Sequence, residues 1–155
     1  MTMVSEKVVS ASGRQFATFP AAVLAFVVNE NEEFLLLRSP RRIGWQVPSG
    51  ALESGESPIQ GLARELFEEL GKDFMYHPLG PVDVSSFRMD DKTTLLSISY
   101  LVQYLGGAIT PGDDMSGAEL DWESLEKIML HENISVPENV SHFERALELF
   151  RVLRK

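Results

Sequence analysis

The chain has 155 residues, enough to bury a real core in one compact domain and short for two. Hydrophobic residues make up 44% and charged residues 24%, which favours neither a disordered nor a fibrous class; a formal charge of −9 is the wrong sign for gripping nucleic acid through its phosphates. No cysteine occurs, so disulfides, thiolate metal sites and cysteine nucleophiles are excluded together, and a cytoplasmic location is expected.

The opening MTMVSEKVVSASGRQ lacks a basic segment followed by an apolar run, and no stretch of about 18 apolar residues follows, so neither secretion nor membrane spanning is expected. Residues 1–19 are read as an N-terminal extension or edge strand. AAVLAFVV at 21–28 and EFLLLRS at 33–39 predict a hairpin of largely buried strands, joined by the polar NENE. PRRIG reads as a loop, and WQVP as a brief strand with Pro48 and Gly50 marking a turn.

The next segment carries helix punctuation. Ser57 can cap, Pro58 suits the first helical position, Gln60 completes a capping box and Gly71 supplies a stop. Ile59, Leu62, Ala63, Leu66 and Leu70 form an apolar stripe that must pack on a sheet. Beyond Pro78 and Pro81, VDVSSFRM and TTLLSISYLVQYL predict a second hairpin turning at DDK. The Gly-, Pro- and Asp-rich stretch 106–118 reads as a mobile loop, a lid over the site. LDWESLEKIML predicts a short strand turning into a short helix. Ser141 and Glu144 match a second capping box, followed by a stripe of Phe143, Ala146, Leu147, Phe150 and Leu153.

On the first helix, Glu65 and Glu69 stand one turn apart with Glu68 beside them. Each like-charge pair at this spacing costs a few tenths of a kcal/mol, and two of these residues sit near the negative end of the helix dipole. One reading is a compensating hard cation, Mg²⁺ or Mn²⁺, since no His or Cys stands nearby for zinc. The other is a solvated acidic face.

The segment 50–71, GALESGESPIQGLARELFEELG, resembles the Nudix box, the signature of the Nudix hydrolases. Gly50, Glu56, Arg64, Glu65, Glu68, Glu69 and Gly71 match its seven fixed positions, with Leu66 at an aliphatic one. At a residue frequency of about 7%, seven such matches arise by chance roughly once in 10⁸ windows. Lys72 departs from the pattern, which usually closes on an aliphatic residue.

The resemblance implies an α/β/α sandwich with a mixed β-sheet, the box helix and the C-terminal helix packed on it, over residues 1–155 as a single domain. It implies metal-dependent hydrolysis of a nucleoside diphosphate linked to another group, by water attack on a phosphorus of the bridge. Glu65 and Glu69 then correspond to direct Mg²⁺ or Mn²⁺ ligands, Glu68 to a further ligand or base, and a backbone carbonyl near Ser49 or Gly50 completes the sphere. Arg64 and Glu56 would form an ion pair that holds the ligating carboxylates in place. Glu119 is a candidate general base, with Asp113 and Asp114 as alternatives.

Arg38, Arg41 and Arg42 form the main positive cluster and are candidate binders of a terminal phosphate. Trp45, Phe87 and Tyr100 could stack on a base or fill the core. His77, His131 and His142 lack ligand spacing and read as structural. The substrate expected is a small phosphorylated nucleotide, with a nucleoside triphosphate or nucleotide sugar favoured by elimination. Many members of the family dimerise, so a homodimer stays open. Three rivals compete: an isopentenyl diphosphate isomerase, which the missing cysteine opposes; a non-catalytic nucleotide-binding or regulatory module of the same fold; and an acidic scaffolding domain.

Overall fold

The computed structural model describes residues 8–130 and 140–154, which leaves His131 outside the described residues. The first two strands, β1 (Ala21–Val28) and β2 (Glu33–Arg38), are the predicted antiparallel hairpin. They pair directly only at Val28 and Phe34 and then diverge. Residues 45–51 fill the gap: Gln46 bridges Leu37, the Ala25 N–H donates to the Pro48 carbonyl at 2.8 Å, and β3 (Ser49–Ala51) pairs antiparallel with β1.

The helix α1 (Pro58–Leu70) follows, then β4 (Met75–Arg88), β5 (Thr94–Gly106), β6 (Glu119–Ser124), α2 (Leu125–Leu130) and α3 (Val140–Leu153). The sheet runs β4-β5-β1-β2-β6 with β3 beside β1, and it is mixed because β1 and β5 are parallel.

Strand alternation assigns the two faces. Val23, Ala25 and Val27 meet Leu62, Leu66 and Leu70 of α1, whereas Leu24, Phe26 and Val28 meet Phe143, Ala146, Leu147 and Phe150 of α3. Both faces being covered explains why β1 reads as a continuous apolar run. Phe143 stands edge-on to Phe26 and Phe34, with centroids 4.9 and 5.1 Å away, an arrangement that adds about 0.5–1.5 kcal/mol per pair to simple burial. The α/β/α sandwich expected from the sequence is therefore the observed architecture.

Several local expectations change. The brief strand lies at 49–51, and Gly50 is inside it instead of in a turn. Strand β4 begins before Pro78 and Pro81, because it is a sheet edge whose register shifts beside both prolines absorb their missing donors. Ile59, Ala63 and Leu153 are exposed, so the core-facing stripes are narrower than their periodicity suggested.

Ser141 lies within α3, which already includes Val140, and so does not precede it as a cap. Val9 and Gln15 form an isolated bridge apart from the main sheet, so residues 8–16 are no edge strand of it. The 106–118 loop is fastened: the Thr110 and Gly112 N–H groups donate to the Leu70 and Glu69 carbonyls at 2.8 and 3.2 Å, and Met115 is buried. Among the described residues no helix is long and apolar enough to cross a membrane.

Candidate active site

The N-terminus of α1 is built as its sequence dictates. The Ser57 hydroxyl accepts from the Gln60 N–H at 3.4 Å, the Gln60 side chain accepts from the Ser57 N–H at 2.9 Å, and Pro58 opens the helix. This fixes the helix phase, so Arg64, Glu65, Glu68 and Glu69 all face a cleft of about 650 Å³ between α1, β3 and the β4–β5 end of the sheet.

Arg64 is the hub. Its Nε and Nη2 grip both Glu56 oxygens at 2.6 and 3.0 Å, Nη2 also donates to the Ala51 carbonyl at 2.9 Å, and Nη1 reaches Glu65 at 2.7 Å and Glu68 at 3.1 Å. One planar guanidinium thereby ties the loop before α1, strand β3 and two carboxylates into one unit. The hydrogen bonds from Arg64 hold the Glu56 carboxyl below the usual range, and Glu56 in turn raises the Arg64 guanidinium.

Glu69 is different. It is 4% exposed and accepts the Ser49 N–H at 3.0 Å, and burial pushes its carboxyl up to about 8 against the help of that hydrogen bond. Burial also raises Glu65, more than Arg64 lowers it, with Glu68 and Asp113 adding repulsion. Gly50 explains itself here: a Cβ on it would land on the Glu65 carboxyl group, so only glycine allows that close approach.

Among the described residues no three acidic or His side chains converge tightly enough to enclose an ion, because Glu65 and Glu68 lean to Arg64 while Glu69 leans to Ser49. The donor set nevertheless suits a hard divalent cation: three carboxylates in one cleft, two with their anionic form disfavoured by burial, and no nitrogen or sulfur ligand among them.

The remaining nominated residues divide. Arg42, Asp113 and Asp114 line the cleft. Arg38 and Glu119 do not; they face each other across the β2–β6 ladder in a 2.5 Å ion pair, with the Arg38 guanidinium 5.0 Å over the Trp45 ring. Arg41 reaches Asp114 at 4.0 Å, and both are exposed.

Of the aromatic candidates Phe87 lines the cleft, while Trp45 and Tyr100 pack against opposite apolar clusters. His142 contacts Asp83 at 3.2 Å, joining α3 to β4. Sequence reasoning missed Met89 and Leu95, which with Phe87 and Leu24 make an apolar wall, and the Ser49 amide, which had no side-chain signal.

A model of the NUDIX domain matches residues 18–142. An ADP-ribose pyrophosphatase from Methanocaldococcus jannaschii is 29% identical over 120 residues, covering 74% of this chain and 70% of that protein. An RNA pyrophosphohydrolase from Nitratiruptor is 43% identical over 56 residues, 33% of this chain and 36% of the relative; the chain spans about a third of the RNA pyrophosphohydrolases it matches. The crystal structure of a MutT protein from Methanosarcina mazei superposes with a TM-score of 0.68 at 28% identity, over 88% of this chain and 96% of that one. With all seven fixed box positions present between β3 and the end of α1, and a family match over most of its length, the chain belongs to the Nudix family.

Proposed function

We propose that residues 1–155 form one catalytic domain that hydrolyses the pyrophosphate linkage of a small nucleoside diphosphate derivative, with Mg²⁺ or Mn²⁺ as cofactor. The observation that carries this reading is the buried Glu69 beside Glu65 and Glu68 in a cleft that Leu24, Phe87, Met89 and Leu95 also line. Glu65 and Glu69 would hold the cation, with Glu68 and the Gly50 backbone adjoining. Bound there, a divalent ion would neutralise bridge charge and acidify or orient the attacking water.

The chain's own residues supply the rest. Glu68, the most exposed of the three carboxylates at 35% for its side chain against 13% for Glu65, is assigned here the role of accepting a proton from water. Arg64 and Glu56 position the carboxylates. The base role first considered for Glu119 is not supported by its pairing with Arg38. Phe87, Met89 and Leu95 offer an apolar wall for a base.

The M. jannaschii relative's name supports a nucleoside diphosphate substrate. The RNA in the other relatives' name is not carried over, since a net charge of −9 opposes binding the polyanionic sugar–phosphate backbone of RNA. A non-catalytic nucleotide-binding module is the alternative, and it is opposed by the intact box.

The test is a panel of diphosphate compounds incubated with purified protein and Mg²⁺ or Mn²⁺. Turnover of at least one compound, abolished by EDTA and reduced at least 10²-fold in Glu65→Gln or Glu69→Gln, is expected. No turnover of any member would sink the reading.

A further inference from the structure

Charge in the cleft separates the two substrate classes that the sequence left level. Glu65, Glu68 and Glu69 face the proposed cation, which offsets their charge, so the anions left to face a substrate are Glu53, Asp113 and Asp114, with Arg42 and Arg64 also lining the cleft. Arg64 is committed to Glu56, Glu65, Glu68 and the Ala51 carbonyl. Arg42 stands near enough to Glu69 to attract its carboxylate. The positive cluster expected to hold a terminal phosphate is therefore dispersed: Arg38 pairs with Glu119 outside the cleft, and Arg41 faces Asp114.

Asp113 and Asp114 reach the cleft by construction. The backbone of the loop is fastened to the last carbonyls of α1 through Thr110 and Gly112, a side chain at Gly112 would stand 2.9 Å from the Glu68 carbonyl, and Asp113 adopts a left-handed φ of 51°. A non-glycine residue in that conformation is uncommon, and a loop held this way carries its charges at a defined place. These carboxylates come close enough to repel those of Glu65 and Glu69.

Resting on the hydrolase reading above, we infer that Asp113 and Asp114 act as a charge filter that favours diphosphates capped by an uncharged group, such as nucleotide sugars, over nucleoside triphosphates. A triphosphate brings about two more negative charges than a nucleotide sugar of the same base. At separations of several ångströms and an effective dielectric between protein surface and water, each added like-charge pair changes affinity roughly three- to tenfold. The apolar wall of Phe87, Met89 and Leu95 can seat a base or sugar face and offers no cation to a terminal phosphate.

The experiment measures kcat/KM with Mn²⁺ for two matched pairs, UDP-glucose with UTP and ADP-ribose with ATP, in the unaltered chain and in Asp113→Asn/Asp114→Asn. Asparagine tolerates the left-handed region, so the exchange removes charge and keeps the loop conformation. Asp114→Asn alone, at a side chain 71% exposed, serves if the double variant fails to fold.

The expected result is a preference of at least tenfold for the sugar-capped member of a pair that turns over, with the ratio falling about tenfold in the double variant and about threefold in the single one. A preference for the triphosphate, or a ratio that does not move in a folded variant, overturns the filter and leaves the hydrolase reading standing. Absence of turnover with all four compounds overturns the filter, and absence throughout the wider panel overturns the hydrolase reading with it.

Discussion

At Glu69 a carboxylate is buried beside another carboxylate, and its pH behaviour follows from that. Its folded-state value, about 8, lies above the ordinary 4.5, so the folded protein holds this proton more tightly than the unfolded chain does. The stability it contributes is complete below about pH 4.5 and is lost as pH rises through about 8, and Glu65 is shifted in the same direction. Without divalent ions the protein is therefore expected to lose on the order of a few kcal/mol between pH 5 and 8.5, and Glu69→Gln to flatten that slope; urea melts in EDTA across this range check it. Gly50→Ala isolates a second residue-scale effect. The Cβ displaces the flexible end of Glu65, so kcat/KM should drop about 10²-fold while stability changes by less than about 1 kcal/mol, read from steady-state rates and denaturant midpoints on one preparation. The box was legible at this scale because its residues fall within 22 consecutive positions at fixed spacing, four of them, Arg64, Glu65, Glu68 and Glu69, on one helix. The partner of Arg38 was not, because the β2–β6 register that sets it opposite Glu119 joins residues 81 positions apart.

At the scale of elements, α1 is held at both ends. Its N-terminus is closed by its own capping box, a local pattern that the sequence displays. Its C-terminus is met by the loop after β5, through the bonds to the Glu69 and Leu70 carbonyls, and backbone donors of this kind leave no mark in side-chain identity. That is why nothing in the sequence of 106–118 announced that its backbone bonds to α1 and sets Asp113 and Asp114 in the lining of the cleft. A side chain at Gly112 would crowd the Glu68 carbonyl at 2.9 Å, so Gly112→Ala should destabilise the fold by about 1–3 kcal/mol and lower turnover, whereas Gly55→Ala, which meets open space at φ 84°, should cost stability through backbone strain and leave the loop–helix bonds intact. Amide hydrogen exchange at Thr110 and Gly112 separates the two, with faster exchange expected in Gly112→Ala alone. The prolines of β4 teach the same lesson from the other side. They look like strand breakers in sequence, and only the edge position of β4, with its register shifts, makes room for them.

In the whole molecule, the mixed sheet puts β1 at the junction of two cores and lets β1 and β2 splay, and the splay admits β3 beside the box helix. The layers were readable from strand alternation and helix stripes. The apolar wall of the cleft was not, since Leu24, Phe87, Met89 and Leu95 come together only when three separate strands and a turn assemble. In the proposed function the α1 carboxylates hold a divalent cation needed to cut a pyrophosphate. Calorimetric titration of Mn²⁺ into the intact chain, in the presence of a nucleotide that it turns over, decides whether the ion is held there. Saturable binding that weakens at least tenfold in Glu65→Gln and in Glu69→Gln, in parallel with lost turnover, is the predicted result. Equal Mn²⁺ binding by both variants, or no Mn²⁺ binding by a protein that still turns over, would contradict it.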